Sequence, residues 1–197
     1  MSRDPARYSM QGRSAELTVL FADVRGFTTL AEQMPPDELA QLINEYFSAM
    51  TDVIRAHRVP DKYIGDALVA FWGAPLADPQ HARHAVAAGL AMQAALGAVN
   101  QRFTARGWPS LRIGIGINTG TMVVGDMGSR HRRAYTVLGD AVNLASRFEG
   151  LSAQYGAGVI IGDATRQALG DWRCRQLDEV TVRGRTMPVA IYEPLAE

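Results

Sequence analysis

An α+β sandwich, with helices covering one face of a mixed or antiparallel sheet, is the fold class that the sequence predicts. Residues 16–24 form an apolar, β-branched run, and long segments from Pro35 and from His81 repeat apolar residues at helical spacing. Short apolar runs then alternate with helical ones to the end of the chain. No internal repeat or linker divides the 197 residues, and 47% of them are hydrophobic, so one core is expected.

Each element follows from its residues. ELTVLFADV (16–24) reads as a central strand, and the Arg25-Gly26-Phe27-Thr28-Thr29 turn after it opens a short helix. Proline is tolerated in a first helical turn, so a second helix begins at Pro35-Pro36. Its core face is Leu39, Leu42, Ile43, Tyr46, Phe47, Met50, Val53 and Ile54. DKYI and ALVAFW flank Gly65-Asp66 as the arms of a hairpin. The Ala-rich stretch from His81 to Phe103 is a further helix. LRIGIGINTG and TMVVGDMG read as two strands around Gly120, SRHRRAY as an exposed loop or arm, and Gly139 to Gly150 as a helix. AGVII, a short helix after Gly162-Asp163 and two strands ending in PVAIYEPL complete the chain.

Twenty basic and twenty acidic side chains give zero formal charge, so no overall field draws the chain to nucleic acid or to an anionic membrane. The basic residues of SRHRRAY suit an exposed arm better than a nucleic-acid surface. Cys174 is the only cysteine and has no internal disulfide partner, and no Cys/His spacing resembles a zinc site. A reducing cytoplasm is the expected compartment. The polar start lacks the apolar stretch of a signal peptide and no later run is long enough for a membrane span, so membrane attachment would come only through regions absent from this chain. Residues 1–14 read as a flexible leader and 15–197 as the folded domain. GIGINTG misses the dinucleotide glycine spacing by one residue, and no Walker A sequence occurs.

Candidate chemistry sits at strand ends and on one helix. Asp23 lies where an apolar strand meets a glycine-containing turn, and is either a metal ligand or a cap of the next helix. The N–H groups of Gly26, Phe27 and Thr28 at that helix start suit phosphate oxygens. Asp66, in the hairpin turn, is either a turn residue or a second metal ligand; with Asp23 and the Val24 carbonyl it would make a hard oxygen set of the kind Mg²⁺ prefers. In GDAVNLASRFEG, Ala141, Leu144, Ala145 and Phe148 share one helix face, while Asn143 and Arg147 project together from the other. That polar pair is either solvated or a partner for a phosphoryl group. Lys62, four residues before Asp66, is by itself a solubilising charge.

Taken together, FADVRGFTTLAE, DKYIGDALVAFWGAP, RIGIGINTG and YTVLGDAVNLASRFEG, in that order, resemble the class III nucleotide cyclase catalytic domain, over nearly all the chain after residue 15. The resemblance implies a ferredoxin-like βαββαβ core with additional strands and helices. It makes Asp23 and Asp66 the metal-binding aspartates, with the Val24 carbonyl as an added ligand, for two Mg²⁺ or Mn²⁺ per active site. Lys62 and Thr136 would select the base, Asn143 would orient the ribose, and Arg147 would stabilise the reacting α-phosphate. Arg112 and Arg183, matched on shorter motifs, would contact the terminal phosphates. A head-to-tail homodimer with two shared active sites is implied. In it the metal aspartates of one subunit face the Lys, Asn and Arg residues of the other.

The implied reaction converts ATP to 3′,5′-cyclic AMP and pyrophosphate. Lys62 carries only donors, which suits adenine N1 and opposes the N1–H of guanine, whereas the Thr136 hydroxyl accepts from the adenine amino group or donates to guanine O6. Guanylate cyclases of the family carry Glu and usually Cys at these places, so the expected substrate is ATP. Threonine at 136, where many adenylate cyclases have Asp, marks a subset linked to bicarbonate stimulation. Guanylate cyclase activity and a catalytically silent nucleotide-binding module are the alternatives. A silent module would be expected to lack one of Asp23, Asp66, Asn143 and Arg147, and all four are present.

Overall fold

The computed structural model describes residues 12–57, 61–64, 67–129, 132–182 and 187–196, with backbone alone at 61–64, 128–129 and 132–133. The first half of the chain runs β1 (Arg13–Val24), α1 (Phe27–Gln33), α2 (Pro36–Ala56), β2 (Asp61–Ile64), β3 (Ala67–Trp72), α3 (His81–Ala105) and β4 (Ile113–Ser129). The second half adds β5 (Arg132–Leu138), α4 (Asp140–Leu151), β6 (Val159–Gly162), α5 (Asp163–Ala168), β7 (Cys174–Val180) and β8 (Val189–Pro194). In the sheet the strands lie in the order β2-β3-β1-β4-β6-β8-β7. Its first four strands have the order of a ferredoxin-like βαββαβ unit, as the resemblance implies. β1 is antiparallel to both β3 and β4, whereas β6 joins β4 in parallel.

Alternation along β1 divides the core between two faces. Leu20, Ala22 and Val24, with Leu68, Ala70, Trp72, Ile113, Ile115 and Ile117, pack under α2 and α3. On α2 the helical period buries Leu42, Tyr46, Met50 and Ile54 completely; each such burial contributes about 1.5–3 kcal/mol. Pro36 starts that helix, as its fixed φ and missing N–H allow. Three buried threonines in this layer are paired: Thr18 Oγ1 lies 2.7 Å from His81 Nδ1 and 2.8 Å from Thr119 Oγ1, which lies 3.0 Å from Thr165 Oγ1.

Three features depart from the sequence expectation. Helices do not cover one face alone: α4 packs on the opposite face, where Val142 and Ala145 meet Leu17, Val19, Val69, Phe71, Met122 and Val124. Gly120 is not a break between two strands but lies inside the single 17-residue β4, paired with Leu17 of β1. A Cβ there would sit 3.0 Å from the Ala141 Cβ, so the glycine serves the approach of α4 rather than a turn. SRHRRAY is not an arm without regular structure either, because Arg132–Leu138 is β5 and pairs with the second half of β4. Tyr135 and Val137 alternate with Ala134 and Thr136, and the Tyr135 ring rests 5.9 Å from Phe71. The β4–β5 hairpin therefore folds back over the sheet face that carries α4.

Candidate functional site

β1 ends at one rim of the sheet, where Asp23 is opposite Ala67 of β3 and Gly114 of β4. Asp23 is half-buried, and its Oδ1 accepts a hydrogen bond from the Val24 N–H at 2.8 Å. It does not cap the following helix: the N-cap of α1 is Gly26, in the left-handed region at φ 70°, and no side chain caps the first turn. Gly26 and Thr28 are exposed and Phe27 half-exposed, and no side chain caps the first N–H groups of the helix that follows Asp23. The Arg25 N–H donates to the Arg112 carbonyl at 2.8 Å, which brings exposed Arg112 to the same rim. Asp23, Val24, Gly26, Phe27, Thr28 and Arg112 thus share one corner of the molecule.

Asp66 lies outside the described residues, but its chain neighbour Ala67 is the residue that pairs with Asp23. Arg183 also lies outside them. For Lys62 the backbone alone is described, in β2 opposite Val69. Val69 belongs to the apolar cluster that holds Val137 and Tyr135, so the neighbours of Thr136 along β5 pack against the strand that pairs with Lys62. Thr136 itself is half-buried and pairs with Gly125.

Asn143 and Arg147 project from α4 as its period predicts. Val142, Leu144, Ala145 and Phe148 are buried, whereas Asn143 is exposed and Arg147 half-exposed. Gly114 and Gly116 let this helix lie directly on β4, with Glu149 over both glycines. The donor chemistry of the corner fits a divalent cation: a carboxylate and a carbonyl are hard oxygen ligands, and phosphate oxygens complete such shells. Among the described residues no three His, Cys, Asp or Glu side chains converge on a metal site, so Asp66 would be needed for a second carboxylate.

Sequence reasoning passed over Arg25. It is half-buried, donates from Nη2 to the Ala157 carbonyl at 3.0 Å, and keeps a buried Nε that has no hydrogen-bond partner. Burial lowers its pKa and so does the charge of Arg112, while Glu149 raises it. The available signal was an arginine between an acidic strand end and a glycine turn. A separate cleft is lined by Asn118, Asp140, Leu144, Asp163, Glu179 and Met187 among others; neither Asp23 nor Arg147 lines it. Its three carboxylates would repel a triphosphate, so it does not coincide with the predicted chemistry.

The profile of the "Adenylate and Guanylate cyclase catalytic domain" family matches residues 10–192. Adenylate cyclase 1 of Rhizobium meliloti is 39% identical over 187 residues, and the adenylate cyclase of Anabaena cylindrica is 38% identical over 186. These matches take in 92% and 90% of this chain but only 28% and 36% of the relatives, so the chain spans about a third of their length. Among solved structures, the adenylyl cyclase CyaB from P. aeruginosa superposes with a TM-score of 0.88 at 34% identity, covering 95% of this chain and 97% of that one. The guanylyl cyclase Cya2 superposes at 0.85 with 38% identity, covering 94% of each. The two cyclases act on different nucleotides yet resemble this chain about equally, so the likeness does not choose the base. On a profile that runs nearly end to end, over a sheet and helices of the same arrangement, the chain belongs to the class III adenylate and guanylate cyclase catalytic domain family.

Proposed function

We propose that this domain is an adenylate cyclase, forming 3′,5′-cyclic AMP and pyrophosphate from ATP in a homodimer with two shared sites. The observation that carries the reading is the pairing of Asp23 with Ala67 at the rim where the uncapped α1 turn opens, because it sets one predicted metal ligand beside the chain neighbour of the other. The ribose 3′-oxygen attacks the α-phosphorus in line, the bond to the β-phosphate oxygen breaks, and the 3′-hydroxyl proton leaves to solvent. Two divalent cations held by Asp23, Asp66 and the Val24 carbonyl would acidify that hydroxyl and neutralise the phosphate tail. The N–H groups of Gly26, Phe27 and Thr28, with Arg112 and Arg183, bind the phosphates. Asn143 orients the ribose, and Arg147 strengthens its hold as charge builds on the pentavalent phosphorus.

Support for the dimer comes from apolar surface on the β4–β5 hairpin. Val123 and Leu138 lie directly opposite each other and are 42% and 57% exposed. A second copy would cover such a pair. Lys62 and Thr136 select adenine through the donor and acceptor pattern described above. Bicarbonate raises turnover in this reading, through the feature Thr136 shares with responsive members; unchanged turnover on adding it at fixed pH removes that element.

The test is a product assay on the purified chain with Mg²⁺ or Mn²⁺. Cyclic AMP and pyrophosphate should form from ATP one to one, with at least about tenfold lower turnover of GTP. Arg147→Ala should cost on the order of a hundredfold or more in kcat. Cyclic GMP as the main product would make it a guanylate cyclase, and no cyclic product from either nucleotide would make it a silent module.

A further inference from the structure

We infer that Arg25 is a positioning residue that locks the turn after Asp23 to the C-terminal end of α4, so that the two active sites of the dimer are mechanically coupled. The inference rests on the shared-site reading, in which the β1–α1 turn of a chain serves one site while Asn143 and Arg147 of the same chain serve the other.

The tie is physical. Arg25 follows the metal-site residues Asp23 and Val24, and its N–H is held by the Arg112 carbonyl at 2.8 Å. Its side chain crosses to the segment between α4 and β6, where Nη2 donates to the Ala157 carbonyl at 3.0 Å. Ala157 is fully buried, and its N–H donates at 3.1 Å to the carbonyl of Ser152, the residue that caps α4. Glu149, two residues beyond Arg147, attracts the guanidinium, and its backbone rests on Gly114 and Gly116.

The arginine holds this place against resistance. It is partly desolvated, it is repelled by Arg112, and its Nε is buried without an acceptor. A long side chain free to turn into solvent would shed all three costs. Anchored by its backbone N–H at one end and by Nη2 at the other, the residue transmits a shift of the turn to the segment that follows the helix. Misplacing catalytic groups by about 1 Å can cost on the order of a hundredfold in rate.

Complementation separates the two directions of coupling. Chains carrying Asp23→Ala and Arg147→Ala should each keep about a hundredth of native activity or less, and the mixed dimer keeps one intact site. That site takes its β1–α1 turn from the Arg147→Ala chain and its α4 from the Asp23→Ala chain. Arg25→Met is added to one chain at a time, with dimers verified by size-exclusion chromatography and folding by melting temperature. The expected result is a fall in kcat of at least about tenfold from either chain, with KM for ATP changed less than about threefold. Arg25→Lys, whose ammonium still reaches a carbonyl, should recover most of the loss in both arms. Should Arg25→Met fail to fold, Arg25→Gln replaces it. A loss from the Arg147→Ala chain alone, or from neither, overturns the coupling and leaves the assigned function intact. An inactive unmodified pair overturns the shared-site reading, and this inference with it.

Discussion

A Cβ on Gly116 would overlap the Ala145 carbonyl oxygen and the Glu149 amide nitrogen, and would sit 2.9 Å from the Glu149 Cα. These are backbone atoms of α4, so Gly116→Ala must lift the helix that carries Asn143 and Arg147. We predict a stability loss of about 3 kcal/mol in urea unfolding, with cyclase activity falling further than the folded fraction does. Gly114→Ala would meet the ends of the Ser152 and Glu149 side chains first, which can move, so its cost should be the smaller. The reverse order would contradict this account of the α4 seat. Lys62→Glu belongs to the same scale: in the proposed site an acceptor would replace donors facing the base, and the ATP-over-GTP ratio of kcat/KM should drop by at least about tenfold. An unchanged ratio would take base selection away from Lys62. The sequence exposes positions set by local pattern, such as Asp23 at a strand end and Asn143 and Arg147 on one helix face. It hid Gly116 and Arg25, whose roles depend on partners 29 or more positions away in the chain.

Among the elements, α2, α3 and α4 were legible because their apolar period survives in the folded chain, and β1 because both its faces are buried. β4 was misread as two strands because glycine usually punctuates, whereas here it admits a helix. β5 was masked by the arginines at its start, since its apolar alternation spans only Tyr135 to Val137. The connection from β3 to α3 carries its own prediction. Asp78 Oδ1 accepts from the Gln80 N–H at 2.9 Å, and Oδ2 lies 2.7 Å from His84 Nδ1. Burial acts to raise the Asp78 pKa, but the hydrogen bonds from His84 and Gln80 and the charges of His84 and His81 hold it below its ordinary value. A carboxylate depressed in the folded state stabilises above its unfolded pKa, and that contribution is lost as pH falls through the folded value. The stability gap between the native chain and Asp78→Asn should therefore hold above about pH 5 and shrink as pH falls through and below the ordinary aspartate range in urea titrations. A gap that stays constant would contradict the linkage.

At the scale of the whole molecule, one chain supplies two corners. Asp23, Arg112 and the open α1 turn share one rim of the sheet, while α4 and the folded-back β4–β5 hairpin present Asn143, Arg147 and Thr136. Among the described residues no helix is long and apolar enough to cross a membrane. Val123 and Leu138 remain uncovered on the hairpin, so activity per chain should rise with protein concentration as dimers form. The resemblance implies this assembly, whereas composition and periodicity do not, because partner contacts leave no period of their own. The most direct test mixes equimolar Asp23→Ala and Arg147→Ala chains and measures cyclic AMP from ATP. With random pairing half the dimers are mixed and one of their two sites is whole, so about a quarter of native specific activity should return. Mixed dimers that form and stay as inactive as the separate chains would contradict the account.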